Sequence, residues 1–545
     1  MLSSAFGQLL QARADDDRLA LKYEDRSWTY RDLVQEGWRR AARFAELRDP
    51  DRPPHVGVLL DNVPDYVFWL TAAALSGTVV VGINSTYRGE QLAQLIDHTD
   101  CQALVTSSDL AGLLEDVPHT IPPEGVLVVD DPSYEATLAA AAPIEADAAP
   151  PDDDDLFLLI FTSGSTGLPK AVRCTQGRIG RTGAHVAGIA ELTHDDIVYA
   201  PLPFFHAASL FTGWAGAVSA GIPISMRRRF SASGTVPDIK AFGATLVTYT
   251  GKVLNYILSV PEADDDAEVP LRLAIGNEAS EHDIREFARR FGCHVRDSYG
   301  STEGVIIIRR DASMPPGALG TADDSVKVLD PETGEECPRA VFDDQGRVVN
   351  LQDAVGEIVE TQPTSGFEGY YRNPTATEER FRDGAYWSGD LAYRDADGWL
   401  FFAGRSNDWL RVDGENFAAG PVEAIIARHP DVRSVAVYAV PDDPVGDRVM
   451  VGLELHGGAD FDLPAFDAFL RAQPDLGPKW VPAFVRVDRE LPKLSSMKID
   501  KKALRRDAWS VDGVVWRPAR DEDLQVLTDD DRRALDHLMS DRPLR

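Results

Sequence analysis

Hydrophobic and polar positions alternate with two different periods along the chain. Residues 55–60 form a short apolar run ending at Asp61 and Asn62, which predicts a buried strand. Residues 66–75 predict an apolar helix that stops near Gly77. A strand at 79–83, a helix at 90–99 and a strand at 103–106 follow. This strand–helix rhythm is that of βαβ units, so the pattern predicts an α/β fold with mainly parallel sheets. The apolar run 156–161 has strand length. No run reaches the ~18 apolar residues of a membrane span, so none is predicted.

Residues 139–155 are rich in Ala, Pro and Asp and end in four consecutive aspartates, which predicts a surface linker. The alternation resumes at 156 and is expected to continue to about 404, with a polar loop or hairpin at 342–351. Beyond 405 the texture is that of a small α+β unit. It has helices at 422–428 and 463–473 and strands at 435–440 and 449–455. The expected domains are therefore 1–404 and 405–545. No fixed-period repeat is present.

At 545 residues the chain is too long for one ordinary domain, and its 44% hydrophobic and 26% charged content is that of a globular protein. The net charge is −33, from 55 basic and 88 acidic residues. Such a surface repels nucleic acid and anionic lipid, so neither is an expected partner. Any anion site must use local N–H groups and a few placed cations. The four cysteines include no Cys-x-x-Cys pair, which argues against structural zinc. They are expected to be reduced and buried, as in a cytoplasmic protein. The first 13 residues lack a basic stretch followed by an apolar core, so no signal peptide is expected.

The most informative segment is FTSGSTGLPKAV at 161–172, directly after an apolar strand. Gly164 and Gly167 allow successive N–H groups to converge on an anion. Thr162, Ser163, Ser165 and Thr166 add hydroxyl donors, and Lys170 adds a positive charge. A Walker loop needs Gly-Lys followed by Ser or Thr, and here Lys170 lies between Pro169 and Ala171. A dinucleotide fingerprint's glycine spacing is also absent. From these residues alone, a flexible Ser/Gly turn stays open beside a phosphate loop.

The segment FTSGSTGLPK closely resembles the phosphate loop of the adenylate-forming superfamily: acyl-CoA synthetases, adenylation domains and beetle luciferases. Other matching segments follow in that family's order over nearly the whole chain. DSYGSTEG at 297–304 resembles its Tyr-Gly-x-Thr-Glu segment. That resemblance implies that Tyr299, with Ser298 and Gly300, flanks adenine, that Thr302 meets the α-phosphate, and that Glu303 and Thr162 hold magnesium. WSGD at 387–390 implies a ribose contact by Asp390, and Arg405 is implied as a ribose or phosphate contact beside a hinge that here contains Asn407. Gly414 is implied near the pantetheine arm. LPKLSSMKIDKK at 491–502 resembles the catalytic-lysine segment and aligns Lys498 with that lysine, with Lys493, Lys501 and Lys502 close by.

LRLAIGNEAS at 271–280, GEN at 414–416 and the tail beyond 511 resemble the fatty-acid transport protein and very-long-chain acyl-CoA synthetase branch. This places Gly276, Asn277 and Glu278 near adenine and the acyl entrance. PFFHAASLFTGWAGA at 203–217 would line the acyl pocket, with His206 beside the acid; a core histidine is the plainer alternative. Lys252 stands where that branch leads one to expect an acidic residue.

The resemblance implies a large N-terminal domain of layered αβ subdomains and a small mobile C-terminal domain. It implies an ATP- and magnesium-dependent ligase that converts a carboxylic acid, fatty or bulky and hydrophobic, into acyl-AMP and transfers it to coenzyme A. Two rivals stay open. One stops at acyl-AMP or delivers the acyl group to a carrier protein; the other is a non-catalytic acyl or nucleotide sensor. The oligomeric state is open, with a homodimer as one form.

Overall fold

The structure, a computed structural model, describes residues 5–115, 117–142, 151–162, 170–251, 253–310, 313–344, 348–363, 366–412, 415–441, 447–456, 461–473, 476–477, 479–494, 498–518 and 522–540, apart from 406–408. The chain divides into two compact units. One is Met1–Val305 with Thr364–Glu379, the other Ile306–Pro363 with Arg380–Arg545.

The first unit holds two sheets built as the sequence rhythm predicts. A six-stranded sheet runs Val126–Val128, Ala103–Thr106, His55–Leu59, Val79–Gly82, Leu156–Thr162, Lys170–Thr175. Its neighbours are parallel until the last two strands, which form an antiparallel hairpin. A seven-stranded sheet runs His294–Asp297, Leu273–Asn277, Leu246–Thr250, Val198–Tyr199, Ile224–Met226, Leu19–Tyr23, Arg26–Thr29. Only its final pair is antiparallel.

The helix Pro64–Ser76 begins with Pro, whose missing N–H is no loss at a first turn, and stops at Gly77 with φ +73°. All its residues but Asp65 and Ser76 are buried. Its side chains share one apolar cluster with residues of both sheets, which explains why it reads as apolar on every face. Asp65 is neutralised by the buried Arg40 at 2.6 Å and accepts from the Tyr134 hydroxyl at 2.9 Å.

In the second unit the expected alternation does not persist to residue 404. Ala318–Gly320, Leu400–Arg405, Ala385–Arg394, Gly356–Glu360 and Val326–Leu329 form an antiparallel sheet, with Phe381–Arg382 paired to Ala385–Arg394. The connection between Ala385–Arg394 and Leu400–Arg405 shows the contrast. Antiparallel neighbours can be joined by tight turns such as Asp395–Gly398, whereas parallel ones need long crossovers. The stretch 342–351 contains an antiparallel bridge between Phe342 and Val348.

The same unit carries the hairpin Trp409–Val412/Glu415–Ala418 and a second sheet. That sheet runs Val432–Pro441, Asp447–Leu455, Phe484–Asp488, Val515–Trp516, Gln525–Val526. The sequence cut at 404/405 falls at the last residue of the strand Leu400–Arg405, ahead of the hairpin and the second sheet of this unit. Of the four cysteines, Cys101, Cys174 and Cys293 are buried as expected, but Cys337 is only half-buried. Among the described residues no helix is long and apolar enough to cross a membrane.

Candidate active site

The phosphate-loop segment joins the two strands of the hairpin at the edge of the six-stranded sheet. Thr162 ends one strand and lies opposite Lys170, which begins the next. Ser163, Gly164, Ser165, Thr166 and Gly167 lie outside the described residues. The Thr162 hydroxyl donates to the Lys170 carbonyl at 3.5 Å.

Lys170 is 8% exposed. Its ammonium lies 3.5 Å from a Glu379 oxygen and 5.4 Å from the centroid of the Tyr370 ring. The Tyr370 hydroxyl donates at 2.7 Å to Oε1 of Glu303, which is 7% exposed. Arg178 braces the same place. Its guanidinium donates to the carbonyls of Thr302 and Glu303, the latter at 2.8 Å, and to that of Arg173 at 2.8 Å. Thr302 and Glu303 are thereby held near the base of the hairpin, within one unit.

A second group gathers at the carboxyl ends of three adjacent parallel strands, Leu246–Thr250, Leu273–Asn277 and His294–Asp297, where ligands bind in open α/β sheets. Gly276 is pressed against Tyr249, and a Cβ there would fall 2.1 Å from the Tyr249 carbonyl oxygen. Ser298 donates to the Gly276 carbonyl from its N–H at 2.8 Å and its hydroxyl at 3.0 Å. Asp297 accepts from the Tyr249 hydroxyl at 2.9 Å and the Ala279 N–H at 3.0 Å. Glu278 takes φ +64°, turning the chain away from the strand. The side-chain oxygen of Asn277 is buried without a hydrogen-bond partner, a cost normally met by a ligand or water. Tyr299 is half-buried beside them. His206 is half-buried too, its ring 4.5 Å from that of the buried Phe205, where a wide helical stretch, Ala208–Ala215, begins.

In the second unit Asp390 lies opposite Arg405 on paired strands and is 8% exposed. Gly389 takes φ +76°, and its N–H donates to the buried carboxylate of Glu357 at 2.6 Å. Burial pushes the Glu357 carboxyl above the ordinary range despite that donor. Lys498 is half-buried, and its carbonyl accepts from the Leu494 N–H at 2.8 Å beside an antiparallel bridge from Lys493 to Ile499. Two neighbouring lysines are tied to carboxylates, Lys493 to Glu490 and Lys501 to Glu423 at 2.9 Å. Gly414, Asn407 and Lys252 lie outside the described residues.

Sequence reasoning did not find Tyr370, Glu379 or Arg178. The pair of aromatics after Gly369 reads like any core position. Arg178 is buried in the glycine-rich helix Gln176–Ile189, and the sequence alone does not separate it from the exposed Arg181 of the same helix.

Magnesium suits this donor set. It favours one or two carboxylates plus substrate phosphates over an all-protein cage. Among the described residues no group of three or more His, Cys, Asp or Glu could hold a metal ion. Glu303 supplies a single hard oxygen donor near the phosphate-loop hairpin.

Parallel αβ layers, a hairpin that carries the 161–172 segment and a buried carboxylate beside it fit the class of ATP-using, adenylate-forming ligases that the sequence resembles. Residues 10–371 match the AMP-binding enzyme family and residues 421–498 the AMP-binding enzyme C-terminal domain. The steroid-22-oyl-CoA synthetase of Rhodococcus jostii (strain RHA1) is 44% identical, across 94% of this chain and 93% of that one. The medium/long-chain-fatty-acid–CoA ligase FadD17 of Mycobacterium tuberculosis is 43% identical, across 93% and 97%. The mouse long-chain fatty acid transport protein 1 is 27% identical, across 91% and 81%. Among solved structures, the anthranilate CoA ligase AuaEII in complex with anthranoyl-AMP shares the fold, with a TM-score of 0.79 at 20% identity over 93% of this chain and 98% of that one. The chain belongs to the AMP-binding enzyme family. It is an AMP-forming acyl-CoA synthetase, an acid–CoA ligase that uses ATP, Mg2+ and coenzyme A.

Proposed function

We propose that its acid is a large hydrophobic one, a medium- to long-chain fatty acid or a steroid side-chain acid. The observation that carries this is the pair of relatives above 40% identity, matched over nearly their full length and named for a steroid acid and for medium/long-chain fatty acids. The apolar wall of Phe204 and Phe205 beside His206 supports it.

The residue roles belong to the same proposal. Lys170 and the hydroxyls and N–H groups of 162–167 receive the triphosphate, and Thr302 meets the α-phosphate. The buried Asn277 oxygen suits the exocyclic amine of adenine, Tyr299 covers the purine face, and Asp390 accepts from the ribose hydroxyls. Magnesium, held by Glu303 with Thr162, would neutralise phosphate charge. His206 sits beside the acid.

The substrate carboxylate oxygen attacks the α-phosphorus and pyrophosphate leaves. Lys498 offsets the charge that develops between carboxylate and phosphate. The coenzyme A sulfur then attacks the acyl carbonyl carbon, the C–O bond to AMP breaks, and the thiol proton is released. AMP is a good leaving group, so the second step needs chiefly positioning. Residues 405–545 are proposed as the domain that moves between the steps, rotating about the Arg405–Asn407 region, with Arg405 reaching the ribose or phosphate and Gly414 beside the pantetheine arm. We place the enzyme in the cytoplasm, since all four cysteines are free thiols.

Pyrophosphate release is measured over a panel of acids, with and without coenzyme A, and products are identified by mass. Thioesters of medium/long-chain or steroid acids, formed only with coenzyme A, are expected. Turnover confined to short-chain or aryl acids would overturn the assignment.

A further inference from the structure

Tyr370 reaches two groups to which the proposed function gives different tasks, Lys170 for the triphosphate and Glu303 for magnesium. Its hydroxyl donates to Glu303 at 2.7 Å, and its ring lies under the Lys170 ammonium at 5.4 Å. The backbone fixes it there. Tyr370 bridges to Val172, Tyr371 N–H donates to the Ala171 carbonyl at 2.8 Å, and Arg173 N–H to that of Gly369 at 3.1 Å. Residues 369–371 thus extend the edge of the hairpin strand that Lys170 begins. The ring also packs in a small apolar cluster with Val172 and Ala376.

A ring needed only for packing would not require a hydroxyl aimed at a buried carboxylate. A Tyr–carboxylate hydrogen bond at this length is charge-assisted and holds the carboxylate in one orientation. It occupies one Glu303 oxygen, while the other accepts nothing from the described residues. Lys170 is confined between the aromatic face and Glu379, and a cation over a ring is attracted to it without being neutralised.

We propose that Tyr370 is a positioning residue that couples the phosphate-loop lysine to the magnesium carboxylate: its ring presents Lys170 to the phosphates, and its hydroxyl orients Glu303 for the metal. This rests on the reading of Lys170 and Glu303 given above. The two functions separate chemically. Tyr370→Phe keeps the ring and loses the hydroxyl, and Tyr370→Leu loses both.

The test is calorimetric titration of the full-length enzyme with ATP, once in a metal chelator and once with Mg2+. Wild type, Tyr370→Phe, Tyr370→Leu and Glu303→Gln are compared, and the Mg2+ dependence of pyrophosphate release is recorded in parallel. Tyr370→Phe should bind metal-free ATP like wild type. It should lose about tenfold of the affinity gained with Mg2+ and need about tenfold more Mg2+ for half-maximal rate, as when a residue supporting a metal ligand is removed. Tyr370→Leu should weaken ATP binding even without metal. If Tyr370→Phe keeps the full Mg2+ gain while Glu303→Gln loses it, the coupling proposal is wrong and the reading of Glu303 stands. Equal weakening of Tyr370→Phe with and without metal means that the hydroxyl is merely structural, which also overturns it. If Glu303→Gln keeps the gain, the underlying assignment of Glu303 fails.

Discussion

At the scale of single residues, Gly276 shows how tightly the proposed adenine side is built. A Cβ would meet the Tyr249 carbonyl oxygen at 2.1 Å, and that atom is backbone, so a strand must shift. Overpacking of this kind costs about 1–3 kcal/mol. Gly276→Ala should lower the thermal midpoint and raise KM for ATP several-fold, because relief of that clash also displaces Gly276, whose own carbonyl anchors Ser298. A midpoint and KM equal to wild type would remove Gly276 from the site. Lys498→Ala tests a different step: acyl-AMP formation in a pyrophosphate-exchange assay should collapse while equilibrium ATP binding stays near wild type. Acyl-AMP formed at the wild-type rate would return the assignment to another lysine of that segment. Lys170, Glu303 and Asn277 were legible as candidates because their chemistry is written in contiguous motifs. Tyr370 was not. Its hydroxyl meets a residue 67 positions away and its ring one 200 positions away, and no local pattern encodes such a meeting.

At the scale of elements, the seven-stranded sheet keeps the proposed adenine-binding residues and a stabilising network at opposite ends of its strands. The carboxyl ends carry Asn277, Asp297 and Ser298, and the amino ends are tied by Asp196. Its carboxylate accepts from Arg272 at 2.7 and 2.8 Å, from the Thr245 hydroxyl at 2.7 Å and from the Thr193 N–H at 2.8 Å. Asp196, Thr245 and Arg272 lie just before three neighbouring strands, Val198–Tyr199, Leu246–Thr250 and Leu273–Asn277. Burial works against the charged form, yet Arg272 and the other donors hold the carboxyl down at about 2, below its ordinary 3.8. The unfolded chain therefore binds this proton more readily. The stabilisation is fully present above pH 3.8 and is lost as the pH falls from 3.8 through 2. Asp196→Asn should cost about 2 kcal/mol at pH 7 in the unfolding of this unit, as expected for the loss of a charge-assisted network. The deficit should shrink on acidification through that window, and KM for ATP should not change. A deficit that is constant from pH 7 to pH 2 would show that the network, not the charge, matters. The strand–helix rhythm of this unit was legible because crossover helices and buried parallel strands have distinct periods and lengths. The antiparallel strands from Ala318 to Arg405 were not. They vary from two to ten residues, only the strands flanking Ala385–Arg394 are joined to it by tight turns, and they share the apolar and Gly punctuation of the units before them.

At the scale of the whole molecule, the net charge of −33 is read directly from composition and sets the long-range field. ATP and coenzyme A are polyanions, so they approach against that field, and the capture proposed for groups such as Lys170 acts only at short range. Salt acts on the two ranges differently. The Debye length falls from about 30 Å at 0.01 M to about 8 Å at 0.15 M, which removes long-range repulsion but leaves contacts of a few ångströms in a buried site largely intact. For coenzyme A, kcat/KM should therefore rise, roughly two- to fivefold, as monovalent salt increases over that interval at fixed Mg2+. The acid substrate, with a single carboxylate, should respond less. Steady-state rates with each substrate varied in turn separate the two. A fall in kcat/KM for coenzyme A would mean that a local positive potential reaches beyond the Debye length and outweighs the acidic surface. A flat profile for both would mean that encounter does not limit capture, so that closure or chemistry governs kcat/KM instead.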